Sequence, residues 1–119
     1  MTAPDFAAMS DTELNECAAR LMGWDLRSVD FDPSCDLNDA GLFSGAFRTS
    51  ERAKGREWVL RIESGVVDGK DINAVLFWLS YPQEEDDPGV IGKTYHVNRA
   101  RAETEATCAA WYAMKAANG

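Results

Sequence analysis

His96 is the only imidazole in the chain, and Cys17, Cys35 and Cys108 are the only thiols. These four residues bound the nucleophilic chemistry open to it. Cys108 with His96 is the pairing that chemistry would need, because a base within hydrogen-bond reach turns a thiol into a reactive thiolate. Spacing alone supplies no geometry for that pair. No GxSxG, HExxH or P-loop accompanies it, and "GVIG" does not cradle a phosphate. Cysteines that are odd in number and lack a CxxC pair are expected to be free thiols in a reducing compartment, packed as small apolar residues. The chain is therefore not expected to be an enzyme. A small-ligand-binding or hydrolytic domain using His96 and Cys108 is the weakest of the alternatives.

Carboxylates are the more distinctive group. They fall in two blocks: Asp30, Asp32, Asp36 and Asp39 in "VDFDPSCDLNDAG", and Glu84, Glu85, Asp86 and Asp87 in "PQEEDDPG". The first block has Asp30 and Asp32 at the first and third positions of a calcium-loop pattern. Its sixth position is Cys35 where the sharp turn requires Gly, and its twelfth is Gly41 where a bidentate Glu closes the shell. In "EEDD" neighbouring side chains diverge, so a metal shell there would need ligands from elsewhere. No metal and no cofactor is expected. What remains is the charge itself. Carboxylates can stand in for phosphates against a basic partner, where they raise the association rate and select the partner. The plainer reading is solubility.

The totals favour binding over catalysis. The chain of 119 residues has 20 acidic and 12 basic residues, a net charge of -8. Phosphate backbones and anionic lipid repel such a chain, so neither direct nucleic-acid contact nor a membrane is expected. Charge is also segregated. Residues 1–47 carry net -7, residues 48–61 net +3, residues 62–93 net -5 and residues 94–119 net +1. The basic stretch holds Arg48, Arg52, Lys54 and Arg56, which a solvated turn explains best. The start "MTAPDFAAMSDTE" has no basic n-region, and the longest apolar run is "CAAWYAM", so a cytoplasmic protein is expected. Hydrophobic residues make up 45% of the chain, enough for one domain over residues 1–119 with its own core.

The elements that must position these residues can be read in part. In "MSDTELNECAARLMGW", Ser10 and Glu13 form a capping box and Met9 with Leu14 a hydrophobic staple. Leu14, Cys17, Ala18 and Leu21 recur at helical spacing, and Gly23 stops the run, which predicts a helix over 11–22. Residues 37–48 are divided. Asp36 and Asp39 favour a helix with Leu37, Ala40, Ser44 and Phe47 on one face. Gly41 and Gly45 oppose it and leave a strand over "GLFSGAFR" open. "REWVLRIES" alternates, with Trp58, Leu60 and Ile62 on one side. Asp68-Gly69 reverses the chain, and "NAVLFWLSY" reads as a central or covered strand. Pro82 ends it, residues 82–93 read as a loop, and "TYHV" as a short edge strand. The C-terminal stretch to Asn118-Gly119 forms a helix, with Ala102, Ala106, Ala109, Ala113 and Ala116 as a small-residue face towards the sheet. Trp58 and Trp78 read as core. Trp24 and Trp111 read as half-exposed aromatic anchors. The sum is an α+β fold: a small antiparallel sheet, a hairpin plus one or two short strands, packed with two or three helices, helices at both chain ends.

Three stretches in order, "SDTELNECAARLMGWD", "FDPSCDLNDAGL" and "RAETEATCAAWYAMKA", resemble a family of small phage and prophage proteins with an α-β-α sandwich domain. Met22-Gly23-Trp24, Pro33, Asp39-Ala40 and Cys108-Ala109 carry the likeness. The resemblance implies a helix over residues 37–48, a phage setting and a host bacterial cytoplasm. It implies no catalytic residue or cofactor. With the acidic balance it suggests a binder of a host protein complex with a basic surface, an inhibitor of a nucleic-acid-handling defence complex of the anti-CRISPR kind. The alternative is a phage accessory protein acting through self-assembly or contacts with phage proteins, as a monomer or homodimer.

Overall fold

The computed structural model describes residues 4–24, 30–81 and 89–118. Among them the elements run α1 (Asp11–Met22), α2 (Leu37–Arg52), β1 (Glu57–Val67), β2 (Lys70–Tyr81), β3 (Val90–His96) and α3 (Arg99–Asn118), with a 3-10 turn at Phe6–Ala8 before α1. The fold is α+β, with helices towards both ends and one three-stranded antiparallel sheet in the order β1-β2-β3. No helix among the described residues is long and apolar enough to cross a membrane.

Local chemistry explains the boundaries. Ser10 Oγ accepts from the Glu13 amide at 3.1 Å while Glu13 Oε1 accepts from the Ser10 amide at 3.0 Å, so the capping box is closed. Asp36 Oδ1 accepts from the Asn38 amide at 2.8 Å and starts α2, which decides the ambiguous stretch in favour of helix. The tertiary reason is that Ala40, Phe43, Ser44 and Phe47 are all buried at helical spacing. Leu37, expected on that face, is instead exposed. At the hairpin, Asp68 and Gly69 both take positive φ, 51° and 76°, the pair of values that matches the twist of the flanking strands. β3 begins at Val90, so residues 90–93, read as loop, are strand. Asn98 caps α3 by accepting from the Ala100 amide at 3.0 Å.

Two clusters make the core. Phe47, Trp58, Val75, Phe77, Leu79 and Ile91 pack with Ala102, Ala106, Ala110 and Met114, joining the sheet to α2 and α3. Phe6, Leu14, Ala18, Ala19, Phe31 and Phe43 pack with Cys108, joining α1 to the other side of α2 and α3. α3 is therefore the middle layer, with the sheet on one side and α1 on the other. The α-β-α order of the resembled family would put the sheet in the middle. The small-residue face is correct at Ala102 and Ala106. It continues through Ala110, while Ala109 turns towards α1 and Ala113 is exposed. The closest approach is at Gly92, whose φ is +67°. A Cβ there would overlap the Ala106 carbonyl oxygen and lie 3.1 Å from the Ala110 methyl.

Among the described residues no helix lies over the outward face of the sheet. Trp78 and Val59, paired across β1 and β2, are 46% and 42% exposed. β2 is central, as expected, but it is not covered on both sides. Trp78, read as core, lies on the open face, while its neighbour Trp58 is buried.

Candidate acidic binding site

The block Asp30, Asp32, Asp36 and Asp39 lies on the segment between α1 and α2 and the first turn of α2. The four residues line one hollow of about 560 Å³, open to solvent, together with Cys35 and Leu37. A set of internal bonds builds it. Asn15 of α1 donates from Nδ2 to Asp32 Oδ1 at 2.7 Å and accepts from the Ser34 amide at 3.0 Å. The Asp32 amide donates to Asp39 Oδ2 at 2.9 Å, and Asp36 caps α2. From below, Thr104 of α3 donates to the Pro33 carbonyl at 2.7 Å and Asn98 to the Ser34 carbonyl at 3.4 Å. Asp36 and Asp39 thus hold the backbone that carries them, Asp32 holds the Asn15 side chain, and the segment is fixed on α1 and α3. Their structural duties were not legible in the sequence beyond the Asp36 cap, because Asn15, Asn98 and Thr104 are remote from the block.

Four carboxylates thus converge on the hollow. Cys35 is exposed at its rim, contrary to the expectation of a buried residue, and its thiol donates to Asp11 Oδ2 at 3.6 Å. Loss of solvent around it, then the carboxylates of Asp32 and Asp11, push its thiol above the ordinary value of 9.0. It stays protonated at neutral pH and is a poor nucleophile. Among the described residues no group of three His, Cys, Asp or Glu is placed to hold a metal ion. The second acidic block, Glu84, Glu85, Asp86 and Asp87, lies outside the described residues.

His96 and Cys108 are not brought together. His96 Nδ1 accepts from the Asn98 amide at 2.9 Å, just before α3. Cys108 lies nine positions beyond the start of α3, about 13 Å along its axis. It is fully buried. Its thiol instead neighbours Cys17 of α1 in the second cluster. The contact between the two thiols lowers the Cys17 pKa to about 7, with burial opposing and Arg20 adding to the drop, and raises that of Cys108.

The basic stretch is consumed locally. Glu51, 2% exposed, accepts from Arg56 at 2.9 and 3.2 Å and from the Trp58 indole at 3.0 Å, and Lys54 lies 3.5 Å away. Arg52 pairs with Glu57 at 3.1 Å. Burial alone would raise the Glu51 pKa. The bonds from Arg56 and Trp58 and the charges of Arg56 and Lys54 outweigh it and hold the group below 4.5. A second buried charge, Arg101, reaches Asp11 at 2.7 Å, Glu105 at 2.6 Å and the carbonyls of Phe6 and Met9 at 3.1 and 2.6 Å. Sequence reading missed it, since Arg101 and Glu105 four residues apart look like a solvated helix pair.

The two aromatic anchors separate. Trp24 is 37% exposed and meets Phe31 edge-on at 5.0 Å, beside the hollow's own segment. Trp111 stacks on Phe43 at 5.6 Å and lies 5.7 Å from Phe47. It is half-buried and packs against both clusters, on the α3 face between the layers. No family model, no curated protein and no solved structure matches the chain.

Proposed function

We propose that the chain is a non-catalytic acidic protein that docks a basic protein surface and inhibits a nucleic-acid-handling defence complex of a host bacterium, in the manner of an anti-CRISPR protein. One observation carries this reading: Asp30, Asp32, Asp36 and Asp39 converge on a single open hollow in a chain of net charge -8. The hollow is fixed by bonds to α1 and α3, so a partner would meet charges already in place, with little ordering cost. Complexes that grip nucleic acid have basic grooves, the complementary surface. The protonated thiol of Cys35 and the separation of His96 from Cys108 favour binding over reaction. The phage setting and the host cytoplasm rest on the family resemblance alone.

The test uses a purified guide-RNA-loaded surveillance complex on a sensor surface. Wild type is compared with Asp30→Asn/Asp36→Asn and with a variant in which Glu84, Glu85, Asp86 and Asp87 are amidated. Asn at position 36 keeps the cap, so charge is removed with the fold intact. Wild type is expected to bind, and loss of the hollow's charge or a rise to about 300 mM salt to weaken binding about tenfold or more. Absence of binding by saturating wild type at low salt sinks the proposal. Undiminished binding by Asp30→Asn/Asp36→Asn removes the hollow from it.

A further inference from the structure

The outward face of the sheet is uncovered among the described residues, and we propose that a second copy of this chain covers it, sheet on sheet, about a two-fold axis lying across the strands. Three properties of the face fit that occupant.

The first is shape. The register places Val59, Trp78 and Val90 on one level of the outward face, Arg61 with Leu76 on the next, Glu63 with Ala74 and Tyr95 on the third, and Ile72 on the fourth. Along β2 the outward side chains shrink from Trp78 through Leu76 to Ala74. A two-fold axis between the Arg61 and Glu63 levels lays β2 over its own copy in the reverse direction. Leu76 then faces the second copy's Ala74, and Trp78 faces its Ile72. Large side chains meet smaller ones across a gap of about 10 Å, the spacing of packed sheets.

The second is charge. Arg61 and Glu63 stand two residues apart on the same face of edge strand β1 and pair at 2.8 Å within one copy. The same axis sets each Arg61 opposite the second copy's Glu63, so the pair is self-complementary, as an isologous interface requires. Lys93 and Tyr95 on the other edge, with the ammonium 5.6 Å from the ring centroid, repeat the pattern. With Arg61, Lys93 and Glu63 the face is not acidic, on a chain of net charge -8. Two copies repel each other elsewhere and can approach here. The basic partner proposed for the hollow has no reason to prefer this face.

The third is area. β1 has 11 residues, about 36 Å of strand, and three strands span about 14 Å. Each copy would cover roughly 500 Å², and the pair about 1,000 Å², the lower bound for a specific interface and the range of weak, reversible ones. A dissociation constant of about 1–100 µM is expected for a patch of this size.

Sedimentation velocity from about 1 to about 300 µM tests this on the full chain, with circular dichroism to confirm folding. Wild type is expected to pass from monomer to dimer. Trp78→Glu is expected to be monomeric throughout, and its exposed position leaves the core intact. R61E and E63R should each weaken the dimer about tenfold, and the combined R61E/E63R should restore it to within about threefold of wild type. D30N/D36N should dimerise like wild type. A wild type that stays monomeric overturns the proposal. So does a dimer indifferent to Trp78→Glu, or a combined reversal weaker than either single one.

Discussion

Glu51 and Arg101 are buried charges that survive because every donor or acceptor around them is answered. Glu51 joins the end of α2 to β1 through Arg56 and the Trp58 indole, and Arg101 joins the start of α1 to α3. A buried ion with partners this close contributes little over a well-packed apolar pair. Removing one partner strands the other and costs about 3–5 kcal/mol. Glu51 also ties stability to pH. Its folded pKa lies below 4.5, so the unfolded chain takes up a proton more readily than the folded one. Its contribution is present above about pH 4.5 and is lost as pH falls through the lower folded value. Glu51→Gln is therefore expected to be less stable at pH 7 and to show a flatter decline in stability between about pH 5 and 3. Chemical denaturation across that range measures both.

At the scale of elements, two glycines give opposite expectations. Gly41 sits inside α2 with open space where a side chain would be, so its cost is conformational freedom alone. Gly41→Ala should raise stability by about 1 kcal/mol. Gly92 has positive φ and lies under the Ala106 carbonyl, so Gly92→Ala should lose several times that amount as β3 is pushed off α3. Thermal melts of the two variants check the contrast. The same residues show what the sequence discloses. The capping box at Ser10 and Glu13 and the Asp68-Gly69 turn are local bonds, so spacing suffices to read them. α2 was ambiguous because Gly41 and Gly45 weaken propensity, and the deciding burial of Phe43 and Phe47 is tertiary. The outward exposure of Trp78 was hidden for a related reason. β2 is apolar on both faces, and which face a helix covers depends on where α3 lands. In the acidic block only the Asp36 cap is local. The bond from the Asp32 amide to Asp39 spans seven residues, and the others depend on Asn15, Asn98 and Thr104, brought in by folding.

For the whole molecule, the layers predict a gradient of protection. Residues 100–108 of α3 are buried without interruption, charged ones included, while from Glu63 to Asp71 the hairpin is exposed on both faces beyond the helices. Hydrogen exchange should find the slowest amides in α3 and fast, locally frayed ones near Asp68. Similar rates in the two regions would contradict this layering. The acidic hollow and the open sheet face lie on different parts of the fold, the first on the segment before α2 and its first turn, the second on the strands. Charge removal at one and substitution at the other should therefore act independently.

The middle position of α3 bears on the order in which the protein can form. On the ribosome α1, α2 and all three strands are synthesised before α3, and both clusters need α3 residues: Ala102, Ala106 and Ala110 for one, Cys108 for the other. Until that segment leaves the exit tunnel, Phe47 of α2 can meet Trp58 and Phe77 of the sheet, but neither cluster is closed. Folding must wait for it and then complete both sides together, with the nascent hairpin and its apolar strand β2 exposed to chaperones in the interval.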